Sequence, residues 1–209
     1  GFCFAALYSY IKGKYMKIIS IAGASGSGKT TVANLLYNKY KSNSLIVSLD
    51  DYYLNKEQQI KINGFCNFDH PSAIDCELLI QNIRELREKG SALMPRYSFK
   101  DRDRSGFVKV KNSDLLIIEG LHSNTFLKGV FDLSIFVKSD LDLSLLRRIN
   151  RDIVDRGRSI ESITEQYIKY VRPAYIKYIK DQELISDIVI ENSNSENNLR
   201  LFINEMNII

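Results

Sequence analysis

Short apolar runs punctuate the chain, and apolar residues between them recur at helical spacing. Lys17-Ile18-Ile19-Ser20-Ile21-Ala22, Leu45-Ile46-Val47-Ser48-Leu49, Leu115-Leu116-Ile117-Ile118, Asp132 to Lys138 (DLSIFVK) and Asp187-Ile188-Val189-Ile190 each read as a strand buried on both faces. Val32, Leu35, Leu36 and Tyr40 follow the helical period after the first run. Leu79, Ile83 and Leu86 do so after the second, where Ser72 opens a predicted helix at capping-box-like spacing from Asp75 and Gly90 closes it. Ser162 and Glu165 start a further helix, with Ile163, Gln166, Tyr167 and Tyr170 along it until Pro173 kinks the chain. Between Pro95 and Lys111 the period changes: Tyr97, Phe99, Val108 and Val110 alternate with polar residues around a charged tip, which predicts a β-hairpin. Asn192 to Asn198 reads as a polar turn. Strands alternating with helices predict an α/β domain, a parallel sheet of about five strands covered on both faces.

Composition adds modest constraints. The 209 residues carry 29 basic and 25 acidic side chains, a net charge of +4, mixed along the chain. Mixed charge fits an anionic small molecule better than nucleic acid, which calls for a clustered basic stripe. Cys3, Cys66 and Cys76 form no C-x-x-C pair, which suits a reducing cytoplasm. His70 and His122 stand in no metal-ligand spacing. Residues 1–15 resemble neither a signal peptide nor a membrane span. They are expected to be a cloning-derived or upstream extension, with Met16 the native start of a single domain over 16–209.

Chemistry enters with Gly23-Ala24-Ser25-Gly26-Ser27-Gly28-Lys29-Thr30, followed by Thr31. It fits G-x-x-x-x-G-K-[ST] between a strand and a helix, the order a phosphate-cradling loop needs. Glycines let backbone N–H groups turn inward, the helix offers its positive N-terminus, and Lys29 reaches the β- and γ-phosphates of ATP. The Thr30 hydroxyl is placed to hold Mg²⁺. Acids at the carboxyl ends of parallel strands face such a crevice, which singles out Asp50 and Asp51 after the second run and Glu119 after the third. Asp50 or Asp51 capping a helix is the equal alternative. Glu119 takes the position where a carboxylate orients Mg²⁺. His70, before Pro71, reads as chain-turning chemistry, and the Lys100–Gly106 tip as either a solvated loop or a substrate clamp.

The segment from Arg147 to Arg158 has two readings. Arg148 with Asp152 and Arg151 with Asp155 stand four apart, as in a salt-bridged helix. Forked guanidiniums also match the charge spread over a phosphoryl group in transfer, which favours a phosphate lid.

Taken together, the loop, Ser48-Leu49-Asp50-Asp51-Tyr52-Tyr53, Asn67-Phe68-Asp69-His70-Pro71, Pro95 with Tyr97, Ile118-Glu119-Gly120 and the arginine segment with Gln166 resemble the uridine kinase family. That family lies within the uridine kinase and phosphoribulokinase group of P-loop kinases, and the likeness runs from Lys17 to Ile190. It implies a three-layer P-loop fold of nucleoside monophosphate kinase type, with a hairpin insert over 95–111 and a lid over 147–160. The implied reaction moves the γ-phosphoryl of ATP, or alternatively GTP, to the 5′-hydroxyl of uridine or cytidine in cytoplasmic pyrimidine salvage. Asp50 would take the hydroxyl proton and join Thr30 and Glu119 around Mg²⁺; Lys29, Arg151 and Arg156 would work on the phosphates. Asp69 would bind the ribose, while Tyr53, Tyr97, Arg102, Arg148, Arg158 and Gln166 would line the nucleoside. Asp187 would lie near the adenine. The family is often tetrameric.

Three positions depart from the pattern. Arg102 replaces a base-contacting histidine, and a permanent cation without an acceptor cannot copy a neutral imidazole. His122 is closer to the phosphoribulokinase version of this strand end, and Lys180-Asp181-Gln182-Glu183 lacks the usual Pro and Lys. The alternatives are therefore a kinase of a phosphopentose or other sugar alcohol, or an ATP-binding module without transfer. Lys29, Thr30, Asp50 and Glu119 occurring together argue against the last.

Overall fold

A computed structural model describes residues 16–193 and 196–206; the expected extension over residues 1–15 lies outside them. Five strands form one parallel sheet: β1 (Lys17–Gly23), β2 (Ser44–Ser48), β5 (Leu115–Glu119), β6 (Leu133–Lys138) and β7 (Ile188–Glu191), in the order β2-β5-β1-β6-β7. The chain leaves central β1 toward β2 through helix α1 (Lys29–Lys39) and later fills its other side with β6. The order therefore reverses at β1, and a crevice opens beyond its carboxyl end.

Both faces of the sheet are covered, which is why the strand sequences are continuous apolar runs rather than alternating ones. On one face Ile18, Val47, Leu116 and Ile118 pack with Leu79, Ile83 and Leu86 of α3 (Cys76–Lys89). On the other, Ile19, Ile21, Leu115, Ile117 and Ile135 meet Val32, Ala33 and Leu36 of α1 and Leu199 and Ile203 of α8 (Glu196–Glu205). Successive strand residues point to opposite faces, so Leu116 and Ile117 belong to different cores. A buried polar tie crosses the sheet: Ser20 Oγ donates to Asn124 Oδ1 at 2.6 Å, and Asn124 Nδ2 donates to the Ile135 carbonyl at 3.0 Å. Asn124 sits in the short helix α4 (Ser123–Phe126).

The hairpin is real and longer than the pattern suggests: β3 (Ser91–Ser98) pairs antiparallel with β4 (Asp103–Lys111). Ala92 and Met94 bury against α3's core and so extend β3 backward. Helix α3 does not begin at Ser72. Its N-cap is Asp75, whose Oδ1 accepts from Leu78 N at 3.1 Å, while Pro71–Ala73 form a separate 3₁₀ turn capped by His70. Another short helix, α2 (Lys56–Asn63), precedes that turn.

Helix α5 (Leu141–Val154) carries Arg147, Arg148 and Arg151, and a rod from Ile160 to Ile185 follows. Helical turns continue through Pro173. Between α6 (Ile160–Gln166) and α7 (Arg172–Ala174) lie π-helical turns over Tyr167–Val171, and further π turns cover Tyr175–Ile179. The Arg172 N–H reaches the Tyr167 carbonyl, a five-residue span. This wider register carries the backbone past the donor that proline lacks. The polar turn expected over 192–198 is likewise shorter, because α8 begins at Glu196. Among the described residues no helix is long and apolar enough to cross a membrane.

Leu116, fully buried in the middle of the sheet, tests this core. Leu116→Ala is expected to lower stability by about 3 kcal/mol in urea unfolding, the usual result of emptying a site that cannot collapse.

Candidate active site

Beyond the end of β1, the glycine loop is held against two neighbours. Gly26 (φ +86°) lies so close to α5 that a Cβ would stand 2.1 Å from the Ser144 carbonyl oxygen. At Gly28 (φ +96°) a Cβ would meet Asn192 Nδ2 at 2.3 Å. That amide donates to the Ser27 carbonyl at 2.8 Å, and Arg147 Nη1 fixes the Asn192 carbonyl at 2.9 Å. The loop is thus shaped from outside as well as by its own glycines.

Lys29 opens α1 beneath the loop. The one hydrogen bond of its ammonium among the described residues is a long one, 3.4 Å to the Ala24 carbonyl. Desolvation lowers its pKa against the opposing pull of Glu119 and Asp50. A desolvated cation beneath a glycine cradle fits a polyphosphate. Glu119, buried at the end of β5, accepts from Ser48 Oγ at 2.6 Å and from Thr30 Oγ1 at 3.3 Å. Burial raises its carboxyl above the usual range, with Lys29 opposing. These hard oxygens fit Mg²⁺, which takes one or two carboxylates and completes its shell with water and phosphate. Among the described residues no three His, Cys, Asp or Glu side chains converge as a metal cage, and Mg²⁺ does not require one.

From this cradle a cavity of about 870 Å³ extends to the hairpin and the rod. Asp50 borders it from a 3₁₀ turn over Leu49–Tyr52, its N–H held by Ser48 Oγ at 3.3 Å. The Tyr53 hydroxyl is hydrogen-bonded to Asp50, and burial followed by the charges of Asp50 and Asp69 pushes its pKa well up. Asp69 is 4% exposed. Burial raises its carboxyl while Arg148 pulls it back, and its main-chain oxygen accepts from His122 Nε2 at 3.0 Å.

Aromatic rings make one wall. Tyr53 stands edge-on to Phe68 (5.2 Å between centroids) and Tyr97 (5.6 Å), and Tyr97 to Phe99 (5.5 Å). Tyr97 is aimed by Asp51, which accepts its N–H at 3.1 Å and Arg96 Nη1 at 2.6 Å, at an irregularity in the β3 register. Among the described residues its buried hydroxyl finds no hydrogen-bond partner, and burial raises its pKa to about 12. Arg102 borders the cavity from the hairpin tip in a left-handed conformation (φ 55°). Arg104 turns away to pair with Asp75 at 2.7 Å.

Arginines make the facing wall. Arg148 Nη1 donates to Ser25 Oγ at 2.8 Å and Nη2 to Gln166 Oε1 at 3.2 Å. Arg158 Nη1 donates to the same oxygen, so the Gln166 carbonyl is fully taken and only its amide nitrogen has capacity left. The Arg156 guanidinium lies 4.1 Å from the centre of the Phe99 ring, joining lid to hairpin.

The structure therefore brings together Ser25, Lys29, Asp50, Tyr53, Asp69, Tyr97, Arg102, Arg148, Arg151, Arg156, Arg158 and Gln166 around one cavity, with Thr30 and Glu119 beside Lys29. Asp187 is not among them. It precedes β7 and so stands at the amino edge of the sheet, where its Oδ2 accepts from Ser134 N (2.8 Å) and Oγ (2.7 Å). Asn192, beyond the carboxyl end of that strand, is the residue that touches the glycine loop. The helix keeps the four-apart pair of Arg148 with Asp152, Nε to Oδ2 at 3.7 Å, but Arg151 binds Asp152 at 2.8 Å rather than Asp155. Sequence reasoning missed Phe68 and Phe99 as walls, Ser48 as a Glu119 partner and Asn192 as a brace of the loop, and it gave Asp152 a single partner, Arg148. Spacing does flag Asp152, four residues from both Arg148 and Arg156; nothing local flags Asn192.

Comparison with known proteins bears on the family and the fold. The Phosphoribulokinase / Uridine kinase family matches residues 18–198. A uridine kinase of Staphylococcus aureus (strain JH9) is 36% identical over 187 residues, covering 87% of this chain and 90% of the relative. Two solved structures share the fold. Phosphoribulokinase from Rhodobacter spheroides has a TM-score of 0.61 and 21% identity, over 84% of this chain and 70% of that one. D-glycerate 3-kinase from Cryptococcus neoformans has a TM-score of 0.60 and 19% identity, over 80% of each.

His122 gives the site a pH signature. Burial lowers its pKa from 6.5 to about 4, outweighing the Asp69 carbonyl that favours the charged ring. Between those values the unfolded chain binds a proton that the folded chain does not, so stability falls as pH drops through that window. The loss from this residue is expected to reach about 3 kcal/mol, measured as urea unfolding across the range. His122→Asn should flatten the curve; equal pH slopes in the two proteins would discount the assignment.

Proposed function

The chain belongs to the phosphoribulokinase / uridine kinase family, and we propose that it transfers the γ-phosphoryl group of ATP to the 5′-hydroxyl of uridine or cytidine. The observation that carries this reading is a single cavity that joins the phosphate loop to Asp50, Asp69 and the Tyr53–Tyr97 aromatic wall. GTP is the alternative donor. The nucleoside is the only partner class proposed, and association into tetramers remains part of the same reading.

In this mechanism the aromatic wall packs against the base, and the two oxygens of Asp69 accept from the ribose cis-diol. The saturated carbonyl of Gln166 leaves it a donor toward the base. Asp50 holds the 5′-hydroxyl in line and accepts its proton as the oxygen bonds to the γ-phosphorus. The β–γ bridging oxygen departs with its electron pair on ADP. Lys29, Arg151 and Arg156 offset the charge on the moving phosphoryl group, where positioning and electrostatics supply most of the acceleration. Thr30, Glu119 and Asp50 would hold Mg²⁺, whose chemistry is to neutralise the β- and γ-oxygens.

A second reading has its own observation. Lys100, Arg102 and Lys169 add positive charge to the acceptor end of the cavity. That suits an alcohol already carrying a phosphate, such as a phosphopentose.

ATP consumption against uridine, cytidine, other nucleosides and phosphopentoses separates the two. Saturable turnover with uridine or cytidine is expected, and turnover with a sugar phosphate alone would replace the first reading by the second. Asp50→Asn is expected to lower kcat about 100-fold while leaving ATP affinity within about 3-fold. An unchanged kcat would remove Asp50 as the base.

A further inference from the structure

One carboxylate inside the lid touches all of its cavity-facing arginines. Asp152, on α5, is completely shielded from solvent. Its Oδ1 accepts from Arg151 Nε at 3.0 Å and Nη2 at 2.8 Å, and Arg156 Nη1 stands 3.4 Å away. Its Oδ2 lies 3.4 Å from Arg158 Nη1 and 3.7 Å from Arg148 Nε. The main chain repeats the pattern, for the Arg158 N–H donates to the Asp152 carbonyl at 3.1 Å. Gly157, at φ +60°, makes the reversal that lets Arg156 and Arg158 both turn back toward this residue.

We propose that Asp152 is the positioning residue of the lid, gathering Arg148, Arg151, Arg156 and Arg158 into an anion-receiving fork before any nucleotide arrives. Four guanidiniums this close repel one another, and a half-enclosed cavity screens them poorly. Desolvation followed by the Arg151 charge lowers even the Arg156 pKa. Burial alone would raise the Asp152 carboxyl, yet the hydrogen bonds and charge of Arg151, with the charges of Arg148 and Arg156, hold it below the usual carboxylate range. The carboxylate therefore stays charged and serves as the common counter-ion. It takes the Nε and Nη2 edge of Arg151, while Ser25 and Gln166 hold the Nη groups of Arg148, and Gln166 and Ser162 hold those of Arg158. The proposal rests on the phosphotransfer reading for its kinetic consequence, whereas its geometry is made by protein groups alone.

The first test needs no activity. Hydrogen–deuterium exchange of the ligand-free protein follows the amides of residues 155–160. In Asp152→Asn they are expected to exchange about 10-fold faster than in the wild type while those of β1 and β5 hold their rates. Equal exchange at 155–160 overturns the proposal. If the substitution loosens the whole domain, the wild type decides: the Arg151 Nε–H is expected as a sharp, slowly exchanging NMR resonance without ligand, and a rapidly exchanging one overturns the assignment.

The kinetic test uses Asp152→Ala. Its kcat is expected to fall about 10-fold with ATP affinity within about 3-fold of wild type, because the lid acts in transfer rather than in capture. Formate at about 100 mM, entering the vacated space, is expected to recover kcat about 3-fold where chloride at equal ionic strength does not. A kcat unchanged from wild type, or a loss that formate leaves untouched, overturns the positioning role. Failure of the phosphotransfer reading would show separately, as absent turnover in the wild type with normal exchange protection at 155–160.

Discussion

Positive charge gathered in a half-enclosed crevice is the constraint around which this molecule is arranged. Lys29, Arg148, Arg151, Arg156 and Arg158 all border one cavity, and such charges are tolerated only with counter-ions in fixed places. Each counter-ion has its own scaffold. Glu119 comes from the end of β5, Asp50 from the turn after β2, Asp69 from the loop before α3, and Asp152 from α5. Burial opposes the charge on Glu119 and Asp69, and neighbouring cations restore part of it. The result is a site whose charges are held by protein partners and are ready to be re-partnered by phosphate.

The sheet supplies the geometry for this balance. Because β1 is flanked by β5 and β6 in a parallel array, the strand ends that deliver Gly23, Ser48 and Glu119 lie side by side. The hairpin and the arginine helix then close over that edge from opposite directions, meeting where Arg156 lies on Phe99. Packing of the two cores fixes the strands; the polar ties through Asp51, Asp75 and Asn124 fix what hangs from them.

Much of this was legible in the residues, and the exceptions share a cause. Buried strands announce themselves as apolar runs, and the glycine loop as a spacing, so β1, β2, β5, β6 and the cradle stand where the pattern puts them. The resemblance placed Asp187 at the adenine, although an acid that precedes a parallel strand belongs at the opposite edge from one that follows it. The cap of α3 went to Ser72 because spacing alone cannot tell a 3₁₀ turn from a first helical turn, whereas Asp75 makes the bond. Pro173 was read by its local rule, and five-residue turns on either side absorb what the rule forbids. Asp152 looked like half of a surface ion pair, since one-dimensional spacing shows a single partner at a time and a hub needs the fold.

The hydrogen bond from Asn192 to the Ser27 carbonyl joins positions 165 residues apart. Strand β1 and the loop after it carry the phosphate-cradling sequence, yet the residue that braces the loop follows β7 on the far side of the sheet order. The cradle is therefore completed by packing across the sheet and not by its own segment, and a local change after β7 reaches the glycine loop directly.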